Sequence, residues 1–355
     1  MTEIEKYSYN LPSELIAKIP ASPRDHSRLL VFSGGKVHHD NFYNLGRYLM
    51  AGDLLVVNDS RVIPARLFAK KKTGGKIEIL LLEQNGESWR VLIGGKVAAG
   101  ENIIISSNFF ASVLEKKGKE VIVKFNLSGA GFWRKIEKIG KMPIPPYIEK
   151  KIKDQKSKIK NDENYYRKRY QTVYAKEYGS AAAPTAGLHF SKKLIGELKS
   201  AGVNFATVNL HVGLGTFAPI TSENILNKKL HLEKFSIPRS TCEKIIKAKN
   251  SGGRVIAIGT TTVRALESSA EKIVSGQKVI FGQTDIFIQP GFDFKIVDSL
   301  ITNFHLPCSS LMMLVAAFLQ HKNEKDGRKK LLELYKTAID EKYRFYSFGD
   351  AMLVI

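Results

Sequence analysis

Between about Arg61 and Ile148 the apolar positions fall in short β-rich runs: Ile63–Phe68, Lys76–Leu82, Trp89–Ile93, Ile103–Ile105, Val113–Leu114 and Val121–Phe125. Turn formers separate them: Gly74-Gly75, Asn85-Gly86, Gly94-Gly95, Gly100 and Lys117-Gly118. Strands this short, with turn signals at this spacing, predict a small barrel or sandwich. The proline-rich stretch 142–147 then interrupts regular structure.

From Tyr170 onward the period changes. Ser191 precedes Leu194, Ile195, Leu198 and Ala201, which recur at helical spacing and stop at Gly202. Val203–Leu210 reads as a strand. Ser240 and Glu243 have capping-box spacing at the start of a helix that ends at Gly252-Gly253. Arg254–Ile258 is an apolar strand, and Thr260–Thr262 opens another helix through Leu266. Strands are expected over Thr284–Ile288 and Phe294–Thr302, and closing helices over Ser309–Gln320 and Asp326–Tyr343. This alternation predicts a parallel or mixed sheet covered by helices. The first sixty residues, with the apolar strand Leu54–Asn58, have the same texture. The predicted fold is an α/β core with a mixed sheet plus a small inserted all-β barrel. Residues 1–61 and 149–355 form the discontinuous core, and 62–148 form the insertion.

Composition narrows the class. The chain has 355 residues, 43% apolar and 25% charged, which is ample for a core. Lys and Arg number 55 against 34 Asp and Glu, a formal charge of +21. Such an excess repels itself and suits a polyanionic partner. The densest basic run, Lys150–Lys168, carries Tyr165 and Tyr166; it reads as a solvated loop or as a phosphate-tracking segment with stacking tyrosines. Two distant cysteines, Cys242 and Cys308, make no disulfide framework and fit a reducing compartment. The longest apolar run, Leu311–Leu319, is about half a membrane span. A soluble cytoplasmic protein with no membrane partner is expected, and a monomer.

Five polar clusters sit where strands are expected to end, which is where open α/β sheets place their sites. The first is Asn58-Asp59-Ser60-Arg61, a turn or an anion clamp. The second, around Thr185 and His189, precedes a helix. The third, His211-Val212-Gly213-Leu214-Gly215-Thr216, is not a dinucleotide motif, since no third glycine or helix follows; its glycines let backbone approach a ligand. The fourth, Gly259-Thr260-Thr261-Thr262-Val263-Arg264, is a strand–glycine–helix cradle for phosphate or carboxylate. The fifth, Thr302-Asn303-Phe304-His305, puts Asn303 and His305 on one face and offers an acid–base group. His231-x-Glu233 matches half of a zinc deaminase signature, but the cysteine pair is missing. No metal site is expected, because ligands do not recur at metal spacing.

In order along the chain, these stretches resemble the S-adenosylmethionine:tRNA ribosyltransferase-isomerases of queuosine biosynthesis. The resembling segments are Ser27–Val31, Leu55–Arg66, Thr73–Lys76, Tyr170–Ala175, Ala183–Phe190, His211–Phe217, Gly259–Arg264, Thr302–Pro307 and Tyr343–Met352. Cys308 is a departure, standing where the family pattern leads one to expect a basic residue.

The resemblance implies a reaction with S-adenosylmethionine as ribosyl donor, a substrate rather than a retained cofactor. Its ribosyl part moves onto 7-aminomethyl-7-deazaguanine at the tRNA wobble position in the anticodon. Adenine and methionine leave, and epoxyqueuosine remains. The sulfonium acidifies the ribose C5′ protons, so a base is needed. His305, His211 or His189 is expected to supply it, with Asp59 as a further catalytic candidate. Asn58 and Asp59 are expected on ribose or base edges, and Arg264 with Thr260 and Thr261 on the methionine carboxylate. Arg61, Thr185, Gly213, Gly215, Thr216, Gly259 and Asn303 complete the expected binding set. A non-catalytic RNA-binding protein explains the charge equally well but not the His- and Asn-bearing clusters. An enzyme acting on a soluble nucleotide is the other rival.

Overall fold

The computed structural model describes residues 3–118, 120–145, 147–148, 162–213 and 220–355. Among the described residues, seventeen strands alternate with helices. They are β1 (Arg28–Ser33), β2 (Lys36–Asn41), β3 (Leu54–Asn58), β4 (Ser60–Val62), β5 (Arg66–Lys71), β6 (Lys76–Asn85), β7 (Ser88–Gly94), β8 (Asn102–Ser106) and β9 (Phe109–Lys117). There follow β10 (Glu120–Phe125), β11 (Glu177–Ser180), β12 (Asn204–Leu210), β13 (Lys229–Ile237), β14 (Val255–Ile258), β15 (Ile280–Ile286), β16 (Ser299–Asn303) and β17 (Ala351–Val354).

Nine strands form one mixed sheet in the order β15-β13-β12-β3-β14-β16-β17-β1-β2. Its centre, β12-β3-β14-β16, is parallel throughout. β3, β14 and β16 are buried along their whole length. That is why β3 and β14 read as nearly unbroken apolar runs rather than as alternation. Apolar layers lie on both faces: Leu54, Val56 and Ala257 join the larger core, Leu55, Val57 and Ile258 the smaller. The helix Ser310–His321 is buried from Leu311 to Leu319, the apolar run noted above. At Gly327, which starts the next helix, an added Cβ would lie 2.0 Å from the Ala316 carbonyl, so only glycine permits this approach.

Strands β5 to β10 close a six-stranded barrel in which every pair is antiparallel. The helix Gly129–Ile139 plugs it through Phe132 and Ile136. Phe132 lies within stacking range of Trp89, at 5.1 Å. This helix is not evident in the sequence, because its two glycines and single apolar stripe sit beside a β-rich run.

Three expectations about elements change. The helix Arg239–Asn250 has no capping box: Pro238 occupies the N-cap and Glu243 pairs with Arg239 instead. The strand expected from Phe294 begins only at Ser299, because Glu267 accepts the N–H groups of Lys295, Ile296 and Val297 and holds that stretch as a loop. The strand expected over Thr284–Ile288 is displaced to Ile280–Ile286. Of the basic run, residues 150–161 lie outside the described residues; Glu163–Arg169 is a helix capped by Asp162. No helix among the described residues is long and apolar enough to cross a membrane.

Candidate active site

The four parallel central strands point the same way, so the segments leaving their carboxyl ends converge. β3 delivers Asn58-Asp59, β12 delivers His211 and Gly213, β14 delivers Gly259-Thr260-Thr261, and β16 delivers Asn303 and His305. Three adjoining clefts result. A narrow one, about 40 Å³, is lined by Thr185, Gly259, Thr260, Thr261, Asn303 and His305 among others. A second, about 20 Å³, lies over Arg264, Glu233 and Leu311. The third, about 520 Å³, opens between sheet and barrel, with His211, Gly213 and Glu233 on one wall and Glu83, Arg90 and Trp133 on the other. Glu233 lines the second and third, and Leu311 the first and second.

The three histidines differ in chemistry. His189 is buried and both ring nitrogens are engaged: Nδ1 with Ser27 Oγ at 2.7 Å and Nε2 with Asn303 Nδ2 at 3.1 Å. It lies 5.1 Å from Phe42, ring on ring, and lines none of the three clefts. His305 reaches the narrow cleft, but its Nε2 is bonded to Thr302 Oγ1 at 2.8 Å. Burial pushes both rings down to about 3, so both are neutral and weakly basic. His211 is only partly buried and faces the large cavity. Its pKa is also lowered, first by burial and then by Lys234. Its ring packs on Gly179, where a Cβ would lie 2.4 Å from Cε1.

Other expected contacts prove structural. Asn58 uses both ends of its amide on backbone: Nδ2 donates to Leu210 O at 2.9 Å, and Oδ1 accepts from Ser60 N and Leu210 N, each at 3.1 Å. It fixes the place where β12 parts from β3. Asp59 is buried against Asn209 at 3.2 Å, and burial raises its carboxyl above the ordinary range. It lines none of the three clefts either. Arg264 is committed to Glu233 in a buried ion pair, and Glu233 Oε1 also accepts the Gly213 N–H at 3.0 Å. The carboxylate that Arg264 holds is the protein's own. Arg61 lies over the Tyr178 ring at 4.7 Å, and Tyr178 and Trp133, 5.6 Å apart, wall the large cavity. Gly215 and Thr216 lie outside the described residues.

Glu233 and Lys234 were missed as site residues. The signal was present in His231-x-Glu233, two residues apart on β13, where alternate positions share a face. Both line the clefts, although for no zinc-deaminase reason.

A family model described as queuosine biosynthesis protein matches residues 4–354. The S-adenosylmethionine:tRNA ribosyltransferase-isomerase of Carboxydothermus hydrogenoformans is 49% identical over 360 residues, spanning 99% of this chain and 100% of the relative. That of Moorella thermoacetica is 46% identical and covers 99% of each. Among solved structures, the S-adenosylmethionine tRNA ribosyltransferase of Thermotoga maritima is 36% identical, covers 99% of this chain and 100% of its own, and superposes with a TM-score of 0.55.

Proposed function

The chain belongs to the queuosine biosynthesis protein family, and on that premise we propose that it is an S-adenosylmethionine:tRNA ribosyltransferase-isomerase. It moves and isomerises the ribosyl part of S-adenosylmethionine onto 7-aminomethyl-7-deazaguanine at the tRNA wobble position, and adenine and methionine leave. The observation that carries this reading is the convergence of His211, Gly213, Thr260, Thr261, Asn303 and His305 on adjoining clefts beside an aromatic-walled cavity. A purely RNA-binding surface has no use for that convergence. In this reading the protein is a cytoplasmic monomer, with 1–61 and 149–355 as catalytic domain and 62–148 as insertion.

His211 is the base for the ribose C5′ proton. Its ring is open to the large cavity and has no hydrogen-bond partner among the described residues. Its lowered pKa keeps the imidazole neutral, and so able to accept a proton, at ordinary pH. The flipped RNA base occupies the same cavity against Trp133 and Tyr178, since unstacked bases are held on aromatic faces. Arg264 acts through Glu233, which pins the Gly213 backbone beside His211. His189 positions Asn303, and His305 shapes the narrow cleft.

The test is incubation with S-adenosylmethionine and an anticodon stem-loop carrying the 7-aminomethyl-7-deazaguanine. Stoichiometric release of adenine and methionine is expected. A stem-loop that binds without either product would leave the RNA-binding reading in its place.

A further inference from the structure

Asn303 ends β16 and is 2% exposed. Its amide orientation is fixed by chemistry. One end faces the Asp350 carbonyl at 3.3 Å, which can only accept, so that end is Nδ2. The same group donates to His189 Nε2, so that imidazole carries its proton on Nδ1 and gives it to Ser27 Oγ. The other end, Oδ1, is buried with no hydrogen-bond partner, and Asn303 is one of the residues lining the narrow cleft. An acceptor left unpaired in a protein interior costs roughly 1–3 kcal/mol, so it asks for a donor that the protein does not supply.

Thr260 and Thr261, which line the same cleft, supply the opposite need. Helix Thr260–Glu267 has Gly259 as its N-cap, at φ +89° and with no side chain to cap the first turn. The N–H groups of Thr260 and Thr261 find no partner among the described residues. First-turn N–H groups carry partial positive charge and favour an anion. The residues lining the cleft thus bring together unmet donors and an unmet acceptor. A phosphate would satisfy the donors and leave Oδ1 facing another acceptor. An α-amino acid group satisfies both.

We infer that this cleft is the seat of a free α-amino acid group, with Asn303 Oδ1 receiving the ammonium and the Thr260–Thr261 N–H groups the carboxylate. Resting on the function proposed above, the occupant is the methionine end of S-adenosylmethionine. Asn303 is then a specificity residue, and Ser27–His189 is the relay that keeps its oxygen turned outward.

The test is calorimetric titration of the full chain with S-adenosylmethionine, with its analogue lacking the α-amino group and with its decarboxylated analogue. The intact protein should bind each analogue about ten- to a hundredfold more weakly, the range for a hydrogen bond to a charged group. Asn303→Ala should lose that factor for S-adenosylmethionine but not for the deaminated analogue, and Asn303→Asp should restore the preference for the amine. The inference is overturned if the intact protein binds the deaminated analogue as well as S-adenosylmethionine. It is also overturned if Asn303→Ala weakens both by the same factor. Should S-adenosylmethionine itself not bind, the proposed function fails. The seat is then judged by the same comparison on free L-methionine against 4-(methylthio)butanoate.

Discussion

Of the three candidate histidines, His211 and His305 follow strands and His189 ends a short helical turn, and their surroundings give each a separate character. His211 sits over a glycine and faces open space, whereas His189 and His305 are buried and bonded. His211→Gln should therefore cut single-turnover adenine release by roughly 10²–10⁴-fold, the usual share of a general base, while leaving S-adenosylmethionine binding intact. Because the His211 pKa is lowered, the acid limb of the rate profile should fall below pH 6.5 rather than above it. A limb centred above 6.5 assigns the base elsewhere. The two buried rings predict a stability effect. Each stays neutral in the fold down to about pH 3 but takes up a proton near pH 6.5 in the unfolded chain. The unfolded state then binds more protons between those values, so stability is complete above about 6.5 and falls as the pH drops, by up to about 1.4 kcal/mol per unit per histidine. Urea midpoints at pH 7, 6 and 5 measure this; a constant midpoint contradicts it. The sequence shows histidines at strand ends but not which one is open. That depends on Ser27, Thr302 and Gly179, and Ser27 and Gly179 lie far from their histidines along the chain.

At the scale of elements, the site depends on how strands end. β3 and β12 part where Asn58 inserts its amide between Leu210 and Ser60. Asn58→Ala would leave three buried backbone groups without partners, and a loss of about 2–4 kcal/mol is expected from chemical denaturation. Activity should fall further than stability explains, because His211 follows Leu210 directly. The loop after β12 is tied down a second time, by Glu233 on β13. Glu233→Gln leaves Arg264 buried without its counter-charge, which should cost about 3–5 kcal/mol, whereas replacing both by apolar residues should cost much less. Strands with strong apolar runs, such as Leu54–Asn58, are legible from sequence because burial on both faces leaves a continuous signal. The Ser240–Glu243 capping box was a false signal, since Pro238 had already set the helix start. The gathering of four of the five motifs on the clefts was legible; the hydrogen bonding of Asn58 and Asp59 within the protein was not, because Asn and Asp look the same whether their partners are backbone or substrate.

For the molecule as a whole, the barrel meets the core across the large cavity. Lys234 on β13 reaches Glu83 at 2.8 Å and Asn85 at 3.0 Å on β6, and Arg90 joins Glu83 to Glu120. These pairs are partly exposed, so each contributes little, about 0–1 kcal/mol. They neutralise local charge at the cavity rim without accounting for the net +21 of the chain. An unbalanced excess of that size is costly to a compact protein unless a polyanion meets it. With tRNA as that partner, each phosphate contacted releases counterions, and affinity falls steeply with salt. Contact with about five phosphates would weaken tRNA binding roughly 10²–10³-fold between 50 and 200 mM KCl. S-adenosylmethionine binding, which by this account rests on one helix terminus and one amide, should change far less over the same range. Filter binding for the RNA and calorimetry for the small substrate, on one preparation, separate the two. If both affinities move together with salt, the charge acts on the fold or the cleft as a whole, and the excess is not an RNA footprint.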